Sequence, residues 1–533
     1  MQNLLRPAAA LAVAALSACA SVASPGVDIG PVTQVARADP LPAGWQHGAF
    51  MEIYVRGYQD SDGDGIGDLR GLTQRLDYLQ ALGIKGLWLM PITASADHDH
   101  GYAVADYRAI EPAYGTLADF DELVRQAHAR GIGIVVDYAV NHSARENPLF
   151  RQSASSPDNP WRNWYVWEKA APAGWRIFDK DPWTTTPNGA YFAQFGPHMP
   201  DFNLRDPAVV RYHLDSLRFW LNHGVDGFRI DAVGHLFENG PQGWSLQPEN
   251  YTFMRAVRRA IDVDHPHVVV CESPADPLGF AAESACGAAF AFGHSDALVK
   301  AARGDAAAVR EVVDYFTKAP DGLATMVSNH DSFAGKRLWD AMDGDPARVR
   351  LAAAAYLLQP GTPYIYYGEE LGMSGTAAAD RDWQLRGPMS WTSAGGFTSG
   401  APYRTPSTNL ATNNAERERG DPQSTLAFYT AMLRLRNTLP SIARGSYLEP
   451  RADGLVMSFQ RQWGDERTVV VLNDGTAAAV AQVAGLPPNR ALQRLYPEPA
   501  PGTDALRLAV DARGQLALPA APLSVQVFRL VPP

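Results

Sequence analysis

Short apolar runs recur along the first 440 positions, each closed by a polar turn and followed by a longer stretch with helical spacing. The pattern predicts strands at 51–55, 86–91, 132–136, 225–230, 268–271, 325–328 and 363–367, with a weakly marked one near 288–292. It predicts helices over 117–130, where Phe120, Leu123, Val124 and Ala127 share one face, and over 209–223. Strand and helix in alternation imply an α/β fold with a parallel sheet, and eight such units imply a closed (β/α)8 TIM barrel. After the third strand the alternation stops for a connection of 143–203 that carries Trp161, Trp164, Trp167, Trp175 and Trp183. A loop of that length is functional or folds as a small inserted subdomain. Beyond 440 short alternating strands take over, at 455–461, 468–473, 506–510 and 524–530, and predict a C-terminal all-β sandwich. The expected organisation is a leader and tether (1–43), a barrel (44–440), an insertion within it (143–204) and a β-sandwich domain (441–533).

Four of the apolar runs end on acids: Asp137, Asp231, Glu272 and Asp331. Acids at the C-terminal ends of barrel strands read as catalytic, although any one of them could instead cap the helix that follows. Four together, with His142, Arg229 and His330 beside them, favour chemistry. Arg229 precedes Asp231 by two residues, so both side chains leave the same strand face, where the guanidinium favours the ionised carboxylate.

Composition narrows the class. Apolar residues make up 46% of the chain and charged residues 19%, as in a globular protein with a large core. The net charge of −11 makes nucleic acid or an anionic membrane surface a poor partner. Arg6 is followed from Ala8 by an alanine-rich run too short to span a bilayer, the form of a signal-peptide core. Leu16-Ser17-Ala18-Cys19 resembles the bacterial lipobox, which implies a lipid anchor on Cys19, the alternative being ordinary cleavage near Ala18 or Ala20. Both readings imply export, to the periplasm or outer membrane or into the medium, with 20–43 as a tether. Cys271 and Cys286 are expected to be buried free thiols, with a disulfide as the alternative, and a monomer is expected.

The acidic segments carry a resemblance. Asp137-Tyr-Ala-Val-Asn141-His142, Gly227-Phe-Arg229-Ile-Asp231-Ala-Val-Gly-His235, Glu272 after its strand and Ser328-Asn-His330-Asp331 are similar to the four ordered signature regions of the α-amylase family, glycoside hydrolase family 13. Met199-Pro-Asp201-Phe-Asn203 resembles its fifth region and Gly86-Leu-Trp-Leu-Met-Pro91 its second-strand region. The resemblance implies retaining glycoside hydrolysis, with Asp231 as nucleophile, Glu272 as general acid/base and Asp331 as the third acid that grips ring hydroxyls. His142 and His330 would donate hydrogen bonds to the same sugar. Glu272 would have to stay protonated near neutral pH. In Asp99-His100-Gly101-Tyr102, the resemblance implies that Tyr102 stacks on the sugar and that Asp99 pairs with Arg386 to close the far end of the pocket.

Asp60-Ser-Asp62-Gly-Asp64-Gly-Ile66-Gly-Asp68 sets acids at alternate positions of a glycine-rich loop, which suits Ca²⁺ with the Ile66 carbonyl as a further donor. It starts like an EF-hand, but Gly71 stands where the closing glutamate belongs. Within the family the loop after the first strand is a recurrent calcium site. A second set, Asn141, Asp201 and the His235 carbonyl, resembles the site of secreted amylases, although oligosaccharide-cleaving relatives keep similar residues without the metal. Gly234 stands in place of the lysine common before His235, Ser273-Pro274 follows Glu272, and Ala103 follows Tyr102. These departures place the chain between polymer-cleaving amylases and the oligo-1,6-glucosidase and neopullulanase groups. The expected activity is cleavage of α-1,4 bonds in starch-derived glucans and maltooligosaccharides; the alternative is an α-glucosidase or transglucosylase acting on short α-glucosides.

Overall fold

Alternation of side chains along each barrel strand sorts this sequence into a sealed core and a layer of charge above it. The computed structural model describes residues 26–320, 322–376, 381–499 and 502–533, so the predicted leader and Cys19 lie outside the described residues. Eight parallel strands close a barrel in sequence order: β1 (Phe50–Ile53), β2 (Gly86–Leu89), β3 (Gly133–Tyr138), β4 (Gly227–Ile230), β5 (Val268–Cys271), β6 (Ala289–Phe290), β7 (Leu323–Thr325) and β8 (Thr362–Tyr366). The weakly marked strand is the short β6, and the strand expected at 325–328 ends at Thr325.

Inside the barrel, Phe50, Trp88, Val135, Val270, Phe290 and Tyr364 belong to one buried cluster closed by Trp45. Trp88 of β2 and Phe290 of β6 come from non-adjacent strands, yet their ring centroids are 5.0 Å apart, so the cluster fills the interior. A Cβ on Gly86 would lie 2.2 Å from the Phe50 ring, which is why that strand opens on glycine. Two residues further along the same inward faces come Glu52, Asp137, Arg229 and Glu272. Pairing of β3 with β4 sets Asp137 directly beside Arg229.

The surrounding helices start where the sequence marks them. Thr116 and Asp119 form a capping box before Leu117–His128, and Asp206 caps Pro207–Asn222 with proline in its first turn. The insertion after β3 carries a helix, Pro148–Ser155, and a small sheet of Trp167–Glu168, Gly189–Phe192 and Trp183–Thr186. In the C-terminal part a six-stranded antiparallel sheet, with Ser446–Asp453 at one edge and Arg507–Ala509 at the other, packs Val469, Val471, Leu492 and Phe528 against Ala481, Val483 and Leu518 of a two-stranded sheet. Among the described residues, no helix is long and apolar enough to cross a membrane.

Two expectations are corrected. Segment 26–43 is not a free tether: Arg108 donates to Gly30 O at 2.8 Å and pairs with Asp28 at 3.2 Å, Val35 N donates to Asn222 Oδ1 at 2.8 Å, and Arg37 N donates to Asp264 Oδ2 at 2.8 Å. Its polar backbone finds partners on the barrel surface, which no apolar periodicity advertises. Cys271 and Cys286 are not free thiols but a disulfide, with Cα atoms 6.3 Å apart. The loop after β5 folds back, Cys286 N donating to Phe280 O at 3.1 Å, and so returns Cys286 to the end of the strand. Closing a loop of 15 residues stabilises the fold by about 2–4 kcal/mol. Reduction before a thermal melt is therefore expected to lower the midpoint by several degrees, and non-reducing peptide mapping to recover Cys271 and Cys286 as a linked pair. Recovery as separately alkylated peptides would refute the pairing.

Candidate active site

Arg229 leaves β4 into the ring of strand ends, almost fully buried, and meets three carboxylates. Its Nη1 donates to Asp137 Oδ1 at 2.9 Å and Asp231 Oδ1 at 2.5 Å, while Nη2 reaches Glu272 Oε2 at 2.9 Å. The guanidinium also lies over the Trp88 and Tyr102 rings, 5.3 and 5.4 Å from their centroids. The sequence pairs Arg229 with Asp231 alone; the structure divides the same charge among three acids.

Access separates those acids. The side chains of Asp231, Glu272 and Asp331 keep 11%, 9% and 17% of their surface open, whereas those of Asp137 and Glu52 keep 0% and 2%. The first three can therefore touch a ligand, and the other two act from behind. Asp137 also accepts from Trp88 Nε1 at 3.1 Å and Tyr102 Oη at 2.8 Å. Glu52, the one charged residue in the apolar β1, lies 2.5 Å from His330 Nδ1. His330 Nε2 lies 2.9 Å from Tyr102 Oη and 3.2 Å from Asp331 Oδ2. Both ring nitrogens are thus engaged by protein groups, and His330 sits behind Tyr102 and Asp331.

Ala232 takes φ 49°, an uncommon conformation for a residue with a side chain, and its N–H donates to Glu272 Oε2 at 2.9 Å. Burial pushes the Asp231 carboxyl well above the usual aspartate range; Arg229 pulls it down and the Glu272 carboxyl beside it pushes it up again. Burial raises Asp137 to about 6 against Arg229, and Asp331 to about 7 against Arg386. Burial lowers His142 to about 3, leaving a neutral ring whose buried Nε2 has no hydrogen-bond partner in the protein. Such a set, with three partly open carboxyls converging around a fixed cation, can combine nucleophilic attack with proton transfer at one centre.

The loop after β2 is shaped by Asp97, which accepts from the N–H groups of Asp99, Gly101 and Ala103 at 2.8, 3.0 and 2.9 Å. Gly101 has φ 89° and a Cβ there would meet Pro91 at 2.8 Å, so the turn needs glycine. The loop presents Asp99, which takes hydrogen bonds from Tyr54 Oη at 2.7 Å and Arg404 Nη2 at 3.0 Å. Arg386, the expected partner of Asp99, is 3.8 Å away; its nearer contacts are Asp331 Oδ1 and the His330 carbonyl, both at 3.0 Å. Arg404 lies outside every signature segment and was missed by the sequence reading.

In the acidic loop after β1, carboxylates of Asp60, Asp62 and Asp68 converge, with one oxygen of each within 4.8 Å of the others. The expected donor Asp64 stands outside that group and accepts from Ile66 N at 2.7 Å. Asp60 and Asp68 also organise the backbone, accepting from Gly63 N at 2.7 Å and Gly71 N at 2.8 Å. Three converging hard-oxygen donors fit Ca²⁺. At the second candidate set the amide nitrogen of Gln194 donates to Asp201 Oδ2 and to the His235 carbonyl, both at 2.8 Å, and Asn141 Nδ2 donates to the same Asp201 oxygen at 3.0 Å. A neutral amide therefore holds the groups that a cation would bridge.

The family model of the α-amylase catalytic domain matches residues 52–445. The chain is 32% identical over 494 residues to a trehalose synthase/amylase of Mycolicibacterium smegmatis, covering 81% of this chain and 83% of that one. It is also 32% identical over 441 residues to alpha-amylase 3 of Dictyoglomus thermophilum, covering 80% and 85%. The crystal structure of a trehalulose synthase from Pseudomonas mesoacidophila superimposes with a TM-score of 0.78 at 26% identity, over 91% of this chain and 99% of that one.

Replacing Arg229 by Met should leave its acidic partners buried without a cation and cost about 3–5 kcal/mol. The folded-state pKa values of Asp137 and Asp231 then rise further above their unfolded values. Stability from such groups is present in acid and lost as pH rises through the folded pKa. The melting deficit of Arg229→Met is therefore expected to be smaller at pH 5 than at pH 8. An equal deficit at both pH values would contradict this account.

Proposed function

Because the chain belongs to the α-amylase family of glycoside hydrolases and transglycosylases, we propose that it processes α-glucosidic bonds of short α-glucosides by double displacement. Its substrates on this reading are starch-derived maltooligosaccharides cleaved at α-1,4 bonds, with transfer of the glucosyl unit when a sugar hydroxyl replaces water. The carrying observation is that Asp231 and Glu272 are held by two nitrogens of one guanidinium. Close carboxyls suit the separation of about 5–5.5 Å used in retaining attack, rather than the wider spacing that leaves room for a water.

Asp231 attacks the anomeric carbon as the bond to the departing oxygen breaks, and Glu272 supplies the proton that this oxygen takes. Glu272 then accepts a proton from water or from an acceptor hydroxyl, which attacks the same carbon and releases Asp231. Asp331 and the unpartnered Nε2 of His142 hold ring hydroxyls, and Tyr102 packs against the sugar. Asp99, locked by Tyr54, Arg404 and more loosely by Arg386, closes the far end of the pocket and favours a terminal glucosyl unit. That closure, with relatives named for trehalose and trehalulose synthesis, is what favours short substrates over long glucans.

Ca²⁺ on Asp60, Asp62 and Asp68 would neutralise their repulsion and supply structural rigidity. The loop they form supports segment 397–403, through Asp60 N to Phe397 O at 3.0 Å and Tyr403 N to Gly65 O at 2.9 Å, and so supports Arg404. The Cys271–Cys286 disulfide supports an exported protein working in an oxidising compartment.

The reading is tested by following products of maltose, maltoheptaose and sucrose by NMR. Release of α-glucose, with transfer products accumulating at high substrate, is expected, and Asp231→Asn should lose at least roughly a thousandfold in rate while melting like the wild type. Initial release of the β-anomer would overturn the mechanism, and mid-chain cuts of maltoheptaose alone would overturn the preference for short substrates. A separate expectation concerns the metal: added Ca²⁺ should raise the melting midpoint of chelator-treated protein, since a ligand bound only to the folded state stabilises it. No shift at millimolar Ca²⁺ would dismiss the site.

A further inference from the structure

The floor of the barrel, at the opposite end from the acids, holds a second concentration of ligand-forming groups. Asp262-Val-Asp264-His265-Pro-His267 leads directly into β5, whose other end carries Glu272. At about 3.3 Å per strand residue, His267 and Glu272 are roughly 16 Å apart. One ligand-capable atom from each of Asp264, His265 and His267 lies within 4.8 Å of the other two. The two imidazole centroids are only 4.3 Å apart. Nδ1 of each ring is buried and makes no hydrogen bond within the protein, although the His267 side chain is only 4% exposed. His267 Nδ1 lies 3.6 Å from Asp262 Oδ1, beyond hydrogen-bond reach, and a nearly buried imidazole nitrogen that makes no hydrogen bond is costly unless something else occupies it.

We propose that Asp264, His265 and His267 bind a divalent transition ion of the zinc class. Two imidazole nitrogens and one carboxylate are the donor set of a three-ligand zinc site with a position left for water, and they disfavour Ca²⁺ and Mg²⁺, which take oxygen. Tetrahedral zinc with bonds of about 2.0–2.1 Å separates its ligand atoms by roughly 3.3–3.4 Å. Asp264 Oδ1 and His265 Nδ1 already stand 3.4 Å apart. His265 keeps 24% of its side chain exposed, so it can turn to complete the set.

The carboxylate ties the ion to the N-terminal segment. Asp264 Oδ2 accepts from Arg37 N at 2.8 Å and Oδ1 from Gln34 Nε2 at 3.3 Å, while Gln34 Nε2 also donates to Ile261 O at 3.0 Å. These groups border a cavity of about 410 Å³ between segment 34–40 and the barrel floor, which leaves room for the ion and its water. The bound ion would clip that segment to the barrel and leave the chemistry at the opposite end untouched.

The test uses untagged, chelator-treated full-length protein held in millimolar Ca²⁺, so that hard-oxygen sites are filled before Zn²⁺ is titrated calorimetrically. The expected result is one Zn²⁺ per chain, a higher melting midpoint with zinc, and hydrolytic rates that zinc does not change. In H265A/H267A the zinc uptake and the melting shift should vanish while activity persists. His265→Gln, at the more exposed position, guards against misfolding of the double variant and should weaken binding at least about tenfold. Failure of the wild type to take up zinc at micromolar concentration, or undiminished uptake by either folded variant, would overturn the assignment.

Discussion

Everything at the catalytic end of the barrel is arranged around one buried cation. A guanidinium removed from water loses hydration that only ionic and hydrogen-bonded partners restore, and Arg229 finds them in Asp137, Asp231 and Glu272. Asp137 stands on β3, and Asp231 and Glu272 immediately follow β4 and β5, so satisfying the cation also fixes how these three consecutive strand ends converge. The dependence runs both ways. Three carboxylates around one positive charge cannot all be ionised at low cost, and burial raises Asp137 to about 6 and Asp231 well above its usual range. A one-to-one ion pair would hold Asp137 and Asp231 ionised more firmly than this shared cation does.

Around this centre a second tier of contacts ties the surrounding loops together. Asp60 and Gly65 in the loop after β1 hold segment 397–403, the next residue is Arg404, and Arg404 locks the Asp99 that the loop after β2 presents. Each link is a backbone or charge-assisted hydrogen bond between loops, and none belongs to the strand ends that carry the acids. These contacts lie in loops while the buried acids stay at the rigid strand ends, a division that lets the loops vary without disturbing the acids.

The parts of this design legible in sequence are those with a period. The alternation that buries Phe50, Trp88 and Val135 also delivers Glu52, Asp137 and Arg229 to the layer above, so the barrel and the converging acids could be read from spacing. Signature segments similar to those of the α-amylase family then indicated which acids to compare. What spacing does not encode is where a loop returns. The Cys271–Cys286 disulfide, the docking of segment 26–43, the Asp99–Arg404 contact and the Gln194 amide all join residues brought together by irregular backbone. β6 was faint because two residues suffice there, the neighbouring strands having already closed the wall. The one local clue left unused was Glu52, a charge inside an apolar strand, which could persist there only with a partner such as His330.

Gln194 shows how such irregular contacts alter a functional expectation. Asn141, Asp201 and the His235 carbonyl retain the chemistry of an oxygen-rich cation site, yet an amide nitrogen sits between the acid and the carbonyl and donates to both. Burial pushes the Asp201 carboxyl well above its usual range, so this corner can be neutral without an ion. A neutral amide restores the hydrogen bonds of the insertion to the barrel, because Asp201 also anchors the bridge with His142, at no electrostatic expense to the acids nearby. An ion there would add positive charge beside His142, whose ring burial already keeps neutral. The insertion is therefore fastened by hydrogen bonds close to the buried acids, whereas the carboxylates of Asp60, Asp62 and Asp68 in the loop after β1 converge without an amide between them.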